Sequence, residues 1–178
     1  MTTRLLSLLL AACLAACSPK YNWRDHASPD ARYRVTFPAK PASTTRTIDL
    51  DGMRVDMTMT AAEVDGATFA VGAAEAPDAA RAQAALEAMK LALLRNIGAD
   101  PARISTASAS ASASNDGGSR SAIDVDATGP GPGGGQPMRL VGHFEARGKR
   151  FYQVIVVGRD QAVPPEQIEQ FFTSFTLQ

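Results

Sequence analysis

"ATFAVGAAEAPDAARAQAALEAMKLALLRNIG", Ala67 to Gly98, changes its hydrophobic period once, and that change decides the fold. The first ten residues, introduced by Asp65-Gly66, are short, apolar and bounded by turn residues, which reads as a strand. Pro77 breaks the run. Asp78 is suited to cap a helix, and Ala82, Leu86, Met89, Leu93 and Ile97 then recur at steps of four and three until Gly98 stops the pattern. A helix with one apolar face has to cover a surface of matching size, so the rest of the chain is expected to supply a sheet.

Working outward, the sheet is easy to find. Upstream, "ARYRVTFP" alternates Tyr33, Val35 and Phe37 with Arg32, Arg34 and Thr36. "STTRTIDL" and "MRVDMTMTAA" flank Asp51-Gly52, a strong hairpin signal, and Met53, Val55, Met57 and Met59 form a row at period two that is expected on the core face. Downstream, "RISTASASASAS", the turn "NDGG" and "SRSAIDVDAT" suit a weak hairpin of small side chains, with a low-complexity linker as the competing reading. "MRLVGHFEA", Arg147-Gly148 and "KRFYQVIVVG" make a clear closing hairpin. "PPEQIEQFFTSFTL" then places Ile168, Phe171, Phe172 and Phe175 on one side of a last, anchored helix. The expectation is an α+β domain over residues 31–178: a mostly antiparallel sheet of about seven strands, a central helix and a C-terminal helix.

"GPGPGGGQP", Gly129 to Pro137, formally carries the glycine spacing of a dinucleotide-binding loop. That loop needs free backbone amides and a helix directly after it, whereas Pro130 and Pro132 donate nothing and the following segment is strand-like. It is read as an ordinary loop.

The chain begins with a different kind of segment. Arg4 precedes "LLSLLLAACLAA", twelve apolar residues that are too short to span a bilayer core of about 30 Å and have the make-up of a signal-peptide core. Within it "LAACLAAC", Leu10 to Cys17, writes one tetrapeptide twice. Both copies resemble the lipobox of bacterial lipoproteins. Cutting before Cys13 leaves a core of eight residues and apolar Leu14, Ala15 and Ala16 on the product; cutting before Cys17 gives a longer core and the polar start "CSPKYNW". Cys17 is the expected lipidation site, with residues 1–16 as signal peptide. The resemblance implies a thioether-linked diacylglycerol and an amide-linked acyl chain on Cys17. Ser18, in place of the aspartate that retains lipoproteins in the inner membrane, implies the outer membrane, facing the periplasm. Residues 17–30 read as a lipidated tether reaching at most about 40 Å, with Tyr21 and Trp23 expected to pack on the domain or, as the competing reading, to sit at the lipid headgroups.

The apolar pattern also supports a fold-level resemblance. "YRVTFPAKP", the central helix, the Gly-rich loop before a hairpin, "GKRFYQVIVVG" and "FFTSFTL" together look like the small PsbP-like domains, α/β/α sandwiches of bacterial envelopes and chloroplasts. The resemblance covers about residues 30–178 and implies a binding or accessory module. It carries no catalytic signature, so no functional residue is transferred from it.

Composition narrows the chemistry further. The 178 residues are 45% hydrophobic and 20% charged with zero formal net charge, and beyond Arg4 there are 17 basic and 18 acidic residues. Nothing recruits nucleic acid. Beyond Cys17 there is no cysteine, hence no disulfide, thiolate metal site or thiol nucleophile. His26 and His143 have no neighbouring ligand pattern. Asp49 with Asp51, and Asp124 with Asp126, put two carboxylates on one strand face, beside turns where solvation is the simpler reading. Arg147, Lys149 and Arg150 form a basic hairpin tip. No catalytic residue, cofactor or metal ligand is assigned.

Two function classes follow. The leading one is a lipid-anchored, non-catalytic binding or accessory domain whose partner is a protein or a small apolar ligand; it expects an apolar cleft without convergent titratable groups. The alternative is an enzyme assembled from scattered residues around His143, which expects a pocket joining that histidine to carboxylates with strongly shifted pKa values.

Overall fold

The computed structural model describes residues 20–101, 104, 106–109 and 120–178, the stretch 106–109 as backbone only. Cys13 and Cys17, with the lipidation expected at the latter, and the expected "NDGG" turn lie outside the described residues.

Ten described strands and two helices make two antiparallel sheets. The larger contains β3 (Ala42–Leu50), β4 (Met53–Val64), β5 (Ala67–Glu75), β6 (Thr106–Ala109), β7 (Arg120–Gly129), β8 (Met138–Arg147) and β9 (Arg150–Arg159), in the order β3-β4-β5-β9-β8-β7-β6. The smaller contains β1 (Arg24–Ser28), β2 (Tyr33–Phe37) and β10 (Thr176–Leu177), with β2 in the centre. The fold class is α+β, as expected, with ten described strands where about seven were expected. Among those without a counterpart in the sequence pattern are β1, with a polar inward face, and β10, only two residues long.

Helix α1 (Ala79–Asn96) lies on one face of the large sheet. The Asp78 carboxylate caps it by accepting from the Arg81 N–H at 2.8 Å. Ala82, Ala85, Leu86, Met89, Leu94 and Ile97 are buried against Val55, Met57, Leu140, Phe144, Phe151 and Ile155. The methionine row therefore faces this core, with Met53 and Met59 packed at its margin. Leu94 takes the deep position expected of Leu93, which is only half-buried.

Helix α2 (Pro165–Ser174) and the small sheet cover the opposite face, where Tyr33, Phe37, Phe69, Val71, Val154, Val156 and Phe171 form a second core. Phe171 meets Phe37 and Phe69 at ring-centre distances of 5.5 and 5.3 Å. Burial on both faces explains why "FYQVIV" in β9 shows no alternation: those six residues are all buried.

The two predicted tight turns have the required backbone. Asp51-Gly52 and Asp65-Gly66 both carry positive φ at each central residue, the conformation whose twist matches paired strands. The Gly-rich stretch is a loop that docks on the end of α1. The Gly131 N–H donates to the Ile97 carbonyl at 2.9 Å, and a Cβ on Gly129 would stand 2.1 Å from that same oxygen.

The tether is shorter than expected. Arg24–Ser28, read as part of it, is strand β1, paired with β2 from Arg24↔Phe37 to Ser28↔Tyr33. Its inward residues are His26 and Ser28, which disguise the alternation as polar sequence. Trp23 does pack on the domain, edge-on to Phe69 at 6.4 Å, with Tyr21 stacked on it at 6.2 Å.

Candidate functional site

Pleating sorts β7 and β8 into two sets of side chains. Ile123, Val125, Ala127, Leu140 and Phe144 point at α1. Arg120, Asp124, Asp126, Arg139, Val141, His143, Glu145 and Arg147 fall on the other face. There the small sheet ends and Phe172 and Phe175 of the α2 region form a wall, enclosing a cleft of about 520 Å³.

Register brings the charged groups together. Asp124 is the direct cross-strand partner of His143, and its Oδ1 lies 2.6 Å from His143 Nδ1. Glu145, two residues along and so on the same face, approaches His143 Nε2 at 3.4 Å. The Glu145 side chain is only 4% exposed; Arg120 Nε lies 2.9 Å and Arg147 Nη2 3.7 Å from its Oε1. That oxygen is in ionic contact yet accepts no well-aligned hydrogen bond. Below, Arg139 grips Asp126 with two hydrogen bonds of 2.9 and 2.7 Å.

These contacts set the protonation states. Burial opposes a charge on His143, but the bonds to Glu145 and Asp124 and their negative charges outweigh it, and its pKa is raised. Burial likewise opposes ionisation of Glu145, yet His143, Arg120 and Arg147 hold its pKa below the usual carboxylate value. These contacts favour the imidazolium form, with a carboxylate at each nitrogen. In that state neither nitrogen is free to take a proton from a substrate.

The other candidates disperse. His26 packs on the rings of Tyr33 and Phe37 at 6.0 and 5.8 Å, and burial lowers its pKa. Asp49 accepts from the Gly52 N–H at 2.7 Å, closing the turn that contains Asp51. Asp124 and Asp126 each hold a different cation, so neither aspartate pair converges on a shared ion. Among the described residues no group of three His, Cys, Asp or Glu is arranged to hold a metal ion. The basic tip is divided: Arg147 leans to Glu145 and Arg150 to Glu75 at 3.8 Å, leaving Lys149 exposed.

The sequence reading did not find Arg120, Glu145, Phe172 or Phe175 as cleft residues. His143 and Glu145 were open to recognition, since i and i+2 share a strand face. The approach of Asp124 and Arg120 depends on the β7–β8 register, and the cleft wall depends on where α2 docks.

No protein-family model matches this chain, and no curated protein shows a match to it. Among the described residues no helix is long and apolar enough to cross a membrane.

Proposed function

We propose that this chain is a lipoprotein of the outer membrane, anchored through Cys17 and facing the periplasm, with a PsbP-like sandwich domain that acts as a non-catalytic binding or accessory module. Support for the fold comparison is the layering of α1, large sheet and α2. The cleft does gather titratable groups, contrary to what the binding reading expected of it, and the support for binding over catalysis is one observation: those groups pair with one another, and both nitrogens of His143 are occupied. Beside them stand two partly exposed phenylalanines. Such a cleft suits a small, largely apolar ligand or protein segment that lays its body on Phe172 and Phe175.

The test is purification of the lipidated protein from gently solubilised envelopes, followed by mass spectrometry of what accompanies it. A molecule retained by the wild type and lost from Phe172→Asp supports the reading. Identical profiles for the two proteins count against the cleft.

The enzyme alternative keeps one specific support, the convergence of His143 with two carboxylates that was expected of it. Its requirement is a pH at which His143 gives up its proton while substrate displaces Asp124 or Glu145. Turnover of an envelope component that disappears in His143→Gln would establish it.

A further inference from the structure

The point at which the chain leaves the domain fixes how the domain stands on its membrane. Lys20 forms a half-exposed ion pair of 2.5 Å with Asp65 in the β4–β5 turn, and the next residues are held by the Tyr21–Trp23 stack and by a 2.8 Å hydrogen bond from the Asn22 N–H to the Pro38 carbonyl. Only Ser18 and Pro19 separate Lys20 from Cys17. Three residue steps reach at most about 10 Å. A strand the length of β9 spans about 30 Å. The attachment is thus short compared with the body it carries.

Sheet register identifies the end that is tethered. Ala67 and Arg139 both pair with Gly158, which puts the start of β5, the start of β8 and the end of β9 beside Asp65. Asp65, Gln136, Arg159 and Asp160 line one open polar hollow there. Glu75, Arg120, Arg147 and Arg150 pair at the opposite end, the end to which Glu145 of the cleft belongs.

Resting on lipidation at Cys17, we infer that the β4–β5 turn and the Gln136–Arg159 end lie against the lipid headgroups and the Arg120–Glu145 end of the cleft points away from the bilayer. The membrane-side groups Lys20, Asp65, Arg159 and Asp160 carry balanced charge. The tether sets this orientation, so it does not depend on anionic lipid.

The mature chain has no other thiol, which makes the test direct. Gln136→Cys and Lys149→Cys are both exposed positions, one at each end. Each lipidated variant is labelled with a fluorophore and reconstituted into zwitterionic phosphatidylcholine vesicles carrying a headgroup-attached quencher. Quenching at position 136 is expected to exceed that at 149 several-fold. A spacer of about twenty Gly and Ser residues inserted before Lys20, adding a mean span of about 25 Å, is expected to remove the difference. Protein that floats with the vesicles but is quenched equally at both positions overturns the orientation and leaves the anchor standing. Protein that does not float overturns the anchor, and the orientation with it. A difference that survives the spacer overturns the tether as its cause.

Discussion

At the scale of single residues, His143 and Glu145 make stability depend on pH in opposite senses. The raised pKa of His143 means that its contribution is fully present below the ordinary histidine value of 6.5 and is lost as pH rises through the folded-state value. The lowered pKa of Glu145 means that its contribution is present above the ordinary value of 4.5 and is lost as pH falls through the folded-state value. The two shifts share the His143–Glu145 contact, so the window in which that contact is strongest lies between about pH 5 and 6.5. The stability difference between wild type and His143→Gln is expected to be largest at pH 5.5 and to shrink by pH 8.5, as read by denaturant titration at each pH. An equal difference at both values would show that folding does not move the imidazole's pKa. Gly129 is a second sensitive residue, for a steric reason. Gly129→Ala forces a methyl into the Ile97 carbonyl, and the loop has to leave α1 or α1 has to shift. A loss of about 1–3 kcal/mol is expected, measurable as a lower melting temperature.

Elements show where sequence reasoning succeeds and where it stops. Hairpins centred on Asp51-Gly52 and Asp65-Gly66 are legible because the turn residues state their backbone and the flanking residues state their faces. Helix α1 is legible because Asp78 and Gly98 mark its ends, although neighbouring Leu93 and Leu94 compete for one deep position. The cleft is less legible, since Asp124 and His143 stand nineteen residues apart and meet only through a register that pairs all ten residues of β7 with β8. Helix α2 was expected to be anchored, and the structure shows what anchors it: Phe171 is fully buried between Phe37 and Phe69, whereas Phe172 and Phe175 are left partly open to the cleft. Phe171→Ala is accordingly expected to cost about 3–5 kcal/mol, a large share of a total near 5–15 kcal/mol, while Phe172→Ala costs clearly less. Chemical denaturation of the two variants side by side checks this ranking. Equal losses would mean that α2 does not discriminate between its two adjacent aromatic faces.

For the whole molecule, the proposal of a lipid anchor turns on which copy of the doubled tetrapeptide would be acylated. Acylation at Cys17 leaves about 10 Å of chain before the Lys20–Asp65 pin; acylation at Cys13 leaves seven residue steps and about 25 Å, enough to let the domain tumble above the headgroups. The longer product would also expose Leu14, Ala15 and Ala16 beside the membrane. The shorter one would begin with Cys17 followed by polar Ser18-Pro19-Lys20, next in sequence to the packed Tyr21–Trp23 step. Cys17→Ala is expected to block normal processing, with some rescue through the upstream copy, and Cys13→Ala is expected to be nearly silent. Mass spectrometry of the wild-type N-terminal peptide avoids that rescue: it should find an acylated cysteine followed at once by Ser18-Pro19-Lys20. An acylated peptide beginning at Cys13 would move the anchor and free the domain from its short leash, and an unmodified N-terminus after signal removal would take the protein off the membrane altogether.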